Sequence, residues 1–191
     1  MSVLVLVAPG SEEIETVAIV DTLVRGGIDV VLASCCPTGA RQIRASRGVQ
    51  LVADCHLDEL TTRDFDAMVV PGGLPGSEVI RDTPLAIDLL REQAGLGRWR
   101  AAICAAPAVV LHHHGLLGDA STTCHPGFQA RLPATQLSTA RVVTDEAHRL
   151  ITSQGPGTAI EFALEIVRVL RGDEAARTVA GPMVLPPSLS P

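Results

Sequence analysis

The sequence predicts an α/β fold, in which a mostly parallel sheet carries helices on both faces. Short apolar runs alternate with amphipathic segments along the chain. Residues 3–7 form a continuous β-rich run, typical of a strand that is buried on both faces. A helical pattern and a second strand, Asp29–Ser34, follow directly. Strands that alternate with helices in this way favour a parallel sheet.

The first helix is expected to begin after Ser11 as its N-cap and to end at Gly26 and Gly27. Apolar residues recur along it at spacings of three and four, which predicts a buried face formed by Val17, Val20, Leu23 and Val24.

The remaining elements follow from the same periodicities. A hairpin is expected over residues 43–53, a buried strand over 66–70 and a helix over 77–94. A strand over 100–103 should lead into a helix just after Cys104. Weaker strand patterns cover 120–123, 141–143 and 149–152, and helices are expected over 156–170 and 173–180. We expect a single domain over 1–185 and a disordered tail over 186–191, which is rich in Pro and Ser.

Composition excludes several classes of function. The chain has 191 residues, 47% of them hydrophobic, with a formal net charge of −6 and only 2% aromatic residues. This balance disfavours a nucleic-acid partner or an anionic membrane, because both require basic or aromatic surface. The N-terminal apolar run is too short for a signal peptide or a membrane span. Five cysteines without regular spacing favour reduced thiols, so a cytoplasmic protein is expected.

In parallel sheets, function collects in the turns that follow the carboxyl ends of the strands. This rule selects four turns of the chain, at residues 9–15, 71–76, 104–107 and 155–158. Candidate site residues are therefore expected in these turns.

Cys104 is the strongest candidate for a nucleophile. It follows a buried strand, and small residues begin a helix directly after it, in the sequence Ala-Ala-Ile-Cys-Ala-Ala-Pro. This pattern outlines a nucleophile elbow, where unpaired N–H groups at a helix N-terminus can lower the pKa of a thiol. A buried structural cysteine fits the same pattern, so position alone leaves both interpretations open.

Three acidic residues follow the first strand at the same edge of the sheet. We interpret Glu12 and Glu13 as complementing the helix dipole. Glu15 lies one turn further, where a buried carboxyl with a raised pKa can donate a hydrogen bond to a thiolate. The backbone N–H groups of Gly73 and Ala105 are candidates for an oxyanion site.

His125 is a candidate general acid or base, and Cys124 precedes it. Three consecutive histidines occupy positions 112–114, and we interpret them as a solvated helix end. No metal site is expected, because the histidines and cysteines lack the spacing of metal ligands.

Several segments resemble the ThiJ/PfpI superfamily, and within it the branch of the parkinsonism-associated protein deglycase and the bacterial YajL-type proteins. The segments lie at residues 3–16, 46–48, 71–73, 101–107 and 152–158, and the resemblance extends from residue 3 to 185. It implies a flavodoxin-like three-layer sandwich that forms a homodimer. It also implies that Cys104 is the reactive group, with Glu15 as its carboxylic partner and His125 nearby.

The resemblance further implies that Gly73 and Ala105 are the backbone donors at the oxyanion position, and that Arg25 and Arg47 lie close to the pocket, suited to small anionic ligands. Peptidase members of the superfamily carry a histidine directly after the elbow cysteine. That position is Ala105 here, which disfavours amidase or peptidase chemistry. Cys124 beside His125 departs from the family pattern. Two roles remain open for this thiol: a spectator, or a resolving partner for oxidised Cys104.

Two functions are consistent with such a site. The first is a cofactor-free protein or nucleotide deglycase, or glutathione-independent glyoxalase, which converts methylglyoxal or glyoxal and their early adducts into 2-hydroxy acids. The alternative is an oxidative-stress sensor and redox-regulated chaperone, in which Cys104 stops at the sulfinic acid.

Overall fold

The structure, a computed structural model, describes residues 1–61 and 64–186. In chain order its main elements are β1 (Ser2–Val7), α1 (Glu13–Arg25), β2 (Asp29–Ser34), β3 (Gln42–Arg44), β4 (Gln50–Val52), β5 (Cys55–His56), β6 (Ala67–Val70), α2 (Gly76–Arg81), α3 (Pro84–Gly95), β7 (Trp99–Ile103), β8 (Val142–Asp145), β9 (Leu150–Ser153), α4 (Ala159–Arg171) and α5 (Asp173–Ala180). A π-helical segment spans Pro107–His112. Residues 187–191 of the predicted tail lie outside the described residues.

Seven strands form one sheet in the order β5-β2-β1-β6-β7-β9-β8. All neighbouring pairs are parallel except β8 and β9, which are antiparallel. The predicted hairpin is present as the antiparallel pair β3 and β4. The chain moves outwards from β1 to β5 and then returns to place β6 on the other side of β1. Crevices at such a reversal of strand order are where α/β proteins bind ligands.

Helices cover both faces of the sheet and produce the predicted three layers. On one face, Leu4, Leu6 and Met68 pack with α2, α3 and the π-helical segment. On the other, Val3 and Val5 pack with α1, α4 and α5. Every residue of β1 from Val3 to Val7 is fully buried, because successive side chains enter opposite cores.

The apolar face predicted for α1 is wrong. Of its four predicted residues only Leu23 is fully buried, whereas Val17 and Val24 are 52% and 56% exposed. The helix instead buries a face that contains Glu15, Thr16 and Thr22 together with Ile19 and Leu23. Hydrophobic periodicity cannot identify this face, because three polar side chains belong to it.

Other sequence predictions need smaller corrections. The N-cap of α1 is Glu12 rather than Ser11, and the helix over 77–94 is two helices interrupted before Pro84. Residues 120–123 form an isolated bridge at Thr122 rather than a strand. The two-residue strand β5 was not predicted, because it is too short to show a period.

Candidate active site

Cys104 lies at the turn between β7 and the following helical segment, and this turn is the predicted nucleophile elbow. Its φ is 64°, in the left-handed region that residues other than glycine rarely adopt. Two backbone hydrogen bonds hold it there: the Cys104 N–H donates to Ser153, and the His125 N–H donates to the Cys104 carbonyl, each at 2.9 Å. The surrounding strands therefore impose a strained conformation at the candidate nucleophile.

Two backbone N–H groups donate toward the Cys104 sulfur, those of Gly73 and Ala105. Gly73 adopts φ 88°, in the left-handed region that glycine tolerates. The Ala105 carbonyl begins the helical segment by accepting from Val109 at 2.8 Å. The structure thus brings together the two predicted donors at one sulfur atom.

Glu15 is fully buried and lies against the same turn. Its Oε2 accepts a 2.7 Å hydrogen bond from the Gly72 N–H, and its carboxyl group is hydrogen-bonded to Cys104. A Cβ at position 72 would lie only 2.9 Å from this oxygen and 3.0 Å from the Cys104 sulfur. Only glycine leaves room for the carboxyl group and the thiol to meet.

Burial raises the pKa of Glu15 to about 7, and the charge of Glu12 adds to this effect. The hydrogen bonds from Gly72 and Cys104 oppose it. The second oxygen, Oε1, is buried without a hydrogen-bond partner in the described part of the chain. Both features favour a protonated Glu15 that can donate a hydrogen bond, as the sequence predicts.

The thiol does not show the lowered pKa expected from its helix N-terminus. Burial, followed by the negative charge of Glu15, raises the pKa of Cys104 to about 12, although the Gly73 and Ala105 N–H groups lower it. Glu15 and Cys104 are in contact, so their titrations are coupled; near neutral pH the thiol keeps its proton, and Glu15 is the group that gains or loses one. When Glu15 holds that proton, its hydrogen bond stabilises a Cys104 thiolate.

The backbone of His125 is next to the elbow, because its N–H donates to the Cys104 carbonyl. Its Nδ1 accepts a 3.1 Å hydrogen bond from the Gly127 N–H and caps the short helix Pro126–Arg131. A neutral ring that accepts at Nδ1 carries its proton on Nε2. His125 can therefore offer a donor at Nε2, whereas Nδ1 is not available as a general base.

The structure brings only one of the two predicted arginines to this region. The Arg47 N–H donates to Glu13 at 2.8 Å, which places Arg47 beside the first turn of α1. Arg25 ends the same helix ten residues beyond Glu15, about 15 Å along its axis, and pairs with Asp21. Within one chain, Arg25 does not reach the pocket.

Cys124 packs in the core on the face of the sheet opposite to the cluster that contains Cys104. It is fully buried, and its thiol faces the His125 carbonyl at 3.5 Å. This placement favours the spectator interpretation over a resolving thiol. All five cysteines are free thiols.

Sequence reasoning missed three contributions to this region. The Gly72 N–H donates to the Glu15 carboxyl group. The Glu12 carboxylate accepts from the Glu15 N–H at 2.7 Å, and the Glu13 carboxylate accepts from the turn after β3. The paired glycines after β6 were the available signal for Gly72. No group of three or more metal-ligating side chains suited to a metal ion is found among residues 1–61 and 64–186.

Comparison with known proteins identifies the family of the chain. A sequence model described as the DJ-1/PfpI family matches residues 1–169. The chain belongs to the DJ-1/PfpI family. Oxidized DJ-1 of Toxoplasma gondii superposes with a TM-score of 0.92 at 40% identity, covering 96% of this chain and 97% of that one. The predicted flavodoxin-like fold is therefore confirmed.

Two curated relatives in this DJ-1/PfpI family bear on function. The chain is 36% identical over 188 residues to the glutathione-independent glyoxalase DJR-1.2 of Caenorhabditis elegans, covering 96% of each protein. It is 39% identical over 187 residues to DJ-1 homolog B of Arabidopsis thaliana, covering 97% of this chain but 42% of that protein. The chain thus spans about half the length of its Arabidopsis relatives. No helix in the described ranges is long and apolar enough to cross a membrane.

Proposed function

We propose that this chain is a glyoxalase and deglycase that needs no cofactor and acts on methylglyoxal, glyoxal and their early adducts. One observation carries the proposal: the Cys104 sulfur lies among two backbone N–H groups and a buried carboxyl group that can hold a proton. The glyoxalase name of the Caenorhabditis relative supports the same chemistry. Five free thiols favour a reducing, cytoplasmic setting.

The first step forms a carbon–sulfur bond. The Cys104 thiol passes its proton to the Glu15 carboxylate, the sulfur attacks the aldehyde carbon of methylglyoxal, and the carbonyl electron pair moves onto oxygen. The N–H groups of Gly73 and Ala105 stabilise this oxyanion, which takes a proton from Glu15 to give a hemithioacetal. A protonated Glu15 is needed at this point, which its raised pKa provides.

The second step is an internal redox rearrangement. The Glu15 carboxylate removes the proton from the former aldehyde carbon and returns a proton to the neighbouring carbon, while the hydroxyl proton of the hemithioacetal moves to the former ketone oxygen. The former aldehyde is thereby oxidised to a thioester, and the ketone is reduced to an alcohol. Water then hydrolyses the thioester, which releases lactate and restores the thiol. The net reaction consumes one water and no external oxidant or reductant.

Amide or peptide hydrolysis is not part of this proposal. The residue after the elbow cysteine is Ala105, so no histidine is contiguous with the nucleophile. Nδ1 of His125 is occupied by the Gly127 N–H. The site therefore lacks the contiguous Cys–His pair that peptidase members of the superfamily carry.

The experiment that tests the proposed function is lactate formation from methylglyoxal by the purified chain in the absence of glutathione. Multiple turnovers with one lactate formed per methylglyoxal consumed are expected. Cys36→Ala is the matched thiol control and should retain full activity, because Cys36 lies outside the elbow. Stoichiometric consumption that stops after one equivalent, or none at all, would contradict the enzyme proposal.

A second candidate function is peroxide sensing at the same thiol. The protonated Glu15 that assists catalysis can also hydrogen-bond to a sulfinate at Cys104. Two peroxide molecules would each transfer one oxygen atom to the sulfur and leave as water. The relative from Toxoplasma is described as oxidized, which supports oxidation within the family.

Mild peroxide is expected to add two oxygen atoms to Cys104 and to leave the fully buried Cys124 unmodified, as measured by peptide mass spectrometry. Cys124→Ser should give the same yield of sulfinic acid, because Cys124 packs on the opposite face of the sheet. A Cys104–Cys124 disulfide, or a higher yield of sulfinic acid in Cys124→Ser, would show instead that Cys124 resolves the oxidised thiol.

We also propose a homodimer through the exposed apolar face of α1 and the β3–β4 hairpin. Ile14, Val17, Val24 and Val52 are between 52% and 69% exposed. Contiguous apolar surface of this kind marks an association site. A second copy is the occupant that the family resemblance implies. If the two α1 helices pack antiparallel, Arg25 of the partner subunit would approach the first turn of α1, so the predicted role of Arg25 requires the dimer.

Val17→Asp is expected to convert the dimer to a monomer in sedimentation velocity, because it places a charge in the apolar interface. Leu96→Asp is the matched control: Leu96 is 55% exposed at the end of α3, away from this face, and the variant should remain dimeric. A wild-type chain that sediments as a monomer, or a dimeric Val17→Asp, would contradict this interface.

A further inference from the structure

Thr158 directly precedes α4, at the position where a threonine side chain commonly caps a helix by accepting a hydrogen bond from its first turn. Within the described part of the chain, the Thr158 side chain makes no such bond. The residue is nonetheless buried, with 4% of its surface exposed. It belongs to the turn over 155–158, which follows β9 at the edge of the sheet where Cys104 follows β7. A buried hydroxyl that does not cap its helix needs other partners.

A chain of buried hydrogen bonds runs through this hydroxyl. The Gly155 N–H donates to Thr158 Oγ1 at 3.1 Å, and Thr158 Oγ1 lies 2.6 Å from Ser153 Oγ. The Ser153 hydroxyl donates to the Arg141 carbonyl at 2.8 Å. Because each hydroxyl has one proton, the 2.6 Å contact requires Thr158 to donate to Ser153, although the Gly155 carbonyl also lies within reach at 2.9 Å. Thr158 thus joins its turn to the end of β9.

Ser153 and Gly155, which Thr158 joins, both lie at the elbow. The Ser153 carbonyl accepts the Cys104 N–H at 2.9 Å. Gly155 lies against the ring of His125, because a Cβ at position 155 would be 3.5 Å from His125 Cδ2. The His125 N–H donates to the Cys104 carbonyl at 2.9 Å. The hydrogen-bond chain therefore fixes the groups that hold the backbone on both sides of Cys104.

The elbow needs this support, because Cys104 is held at φ 64°. A residue with a side chain keeps such a conformation only where its surroundings impose it. The direction of the sulfur follows from the backbone conformation. A shift of Ser153 would therefore move the sulfur relative to the Gly73 and Ala105 N–H groups that donate toward it.

We infer that Thr158 is a positioning residue of the reaction: its hydroxyl, acting through Ser153, holds the Cys104 sulfur in line with the two N–H groups that stabilise the oxyanion. Thr158 takes no part in proton transfer. Its hydroxyl is therefore expected to affect the rate of the chemical step and not the binding of the substrate. The inference rests on the proposed function in one respect, that Cys104 is the reacting atom.

Thr158→Val tests this inference, because it removes the hydroxyl and keeps the shape of the side chain. The variant should fold, since the Arg141 guanidinium still donates to the Gly157 carbonyl at 2.8 Å and retains the turn. Two quantities are measured: kcat and KM for lactate formation from methylglyoxal, and the rate at which iodoacetamide alkylates Cys104. Iodoacetamide transfers its CH₂CONH₂ group to the sulfur and releases iodide, so this rate does not depend on turnover. Peptide mass spectrometry reports position 104 separately from the other thiols.

Thr158→Val is expected to lower kcat about tenfold and to leave KM within about twofold of wild type, the pattern of a displaced reacting group. Alkylation of Cys104 should slow by about threefold or more, because the thiolate loses aligned N–H donors. Thr158→Ser keeps the hydroxyl and should return both rates to within about twofold of wild type. Thr22→Val is the matched control and should change neither rate, because Thr22 is fully buried and its hydroxyl has no partner among the described residues.

Ser153→Ala interrupts the same hydrogen-bond chain at its other hydroxyl. The backbone carbonyl that accepts the Cys104 N–H remains in this variant. The same loss of kcat and of alkylation is expected, and the double variant with Thr158→Val should lose no more than either single variant. If Thr158→Val does not fold, Ser153→Ala decides the test.

A structural role alone gives a different result. Thr158→Val would then unfold at a lower urea concentration but keep the wild-type kcat and alkylation rate, which would overturn the inference. A higher KM at unchanged kcat, or no recovery in Thr158→Ser, would overturn it too. If alkylation slows as expected but the wild type forms no lactate from methylglyoxal, the proposed function fails while the role of Thr158 stands.

Discussion

Replacement of Cys104 by alanine is expected to reduce lactate formation from methylglyoxal by more than about a thousandfold, the scale seen when an enzyme loses its nucleophile. No other thiol can substitute for it. Cys35 and Cys124 lie in the opposite core, Cys36 packs beside the hairpin, and Cys55 lies in the edge strand β5, so none of these four thiols stands at the elbow. The Gly73 and Ala105 N–H groups would remain but would have no bound oxyanion to stabilise.

The fold of Cys104→Ala should be intact. The change removes one sulfur atom, and the residue at position 104 still adopts the backbone conformation that its hydrogen bonds to Ser153 and His125 impose. We expect a change in the free energy of unfolding of about 1 kcal/mol, typical of a small buried truncation. Cys36→Ala, measured in parallel, distinguishes loss of the elbow thiol from loss of any thiol. Turnover by Cys104→Ala within tenfold of wild type would refute the mechanism.

Replacement of Glu15 by glutamine is expected to reduce turnover by about a hundredfold to ten-thousandfold, the contribution of a positioned general acid–base group. Glutamine can still accept the Gly72 N–H, so the glycine turn should keep its position. It cannot exchange a proton with the substrate carbons. Alkylation of Cys104 should continue in this variant. That result would show that Cys104 remains a nucleophile when Glu15 can no longer carry a proton. Equal loss of alkylation and turnover would contradict this division of roles.

The same substitution should stabilise the chain at high pH. In the folded protein the pKa of Glu15 is raised from 4.5 to about 7, so the folded state binds a proton more tightly than the unfolded state. Stability from this group is complete below pH 4.5 and is lost as the pH rises through about 7. The shift corresponds to about 3 kcal/mol in the free energy of unfolding, an upper value because Cys104 titrates with Glu15.

Urea unfolding of wild type and Glu15→Gln at pH 4.5 and pH 8 measures this effect, at one protein concentration because a dimer would make stability concentration-dependent. Relative to wild type, the variant should gain up to about 3 kcal/mol between the two pH values. Glu161→Gln, which changes a partly buried carboxylate paired with Arg141, should show no such gain. A difference between wild type and Glu15→Gln that does not vary with pH would mean that folding does not raise the pKa of Glu15.

Hydrophobic patterning predicted the parts of this fold whose side chains are uniformly apolar. Residues 3–7 are buried on both faces of the sheet, and β2 and α5 have the predicted bounds. It failed for α1, where Glu15, Thr16 and Thr22 occupy the buried face and valines are exposed. A polar residue that is buried for function looks like a surface residue in a sequence pattern, and an apolar residue reserved for association looks like core.

Strand ends and small residues are local features, so they were enough to predict the α/β class, the elbow at Cys104 and the turns around it. Which groups meet became visible only in the folded chain. The tertiary structure placed Gly72 against Glu15, assigned Nδ1 of His125 to Gly127, separated Cys124 from Cys104, and left Arg25 at the far end of α1. These relations depend on strand order and on the faces of the sheet, which join residues distant in sequence and leave no local signal.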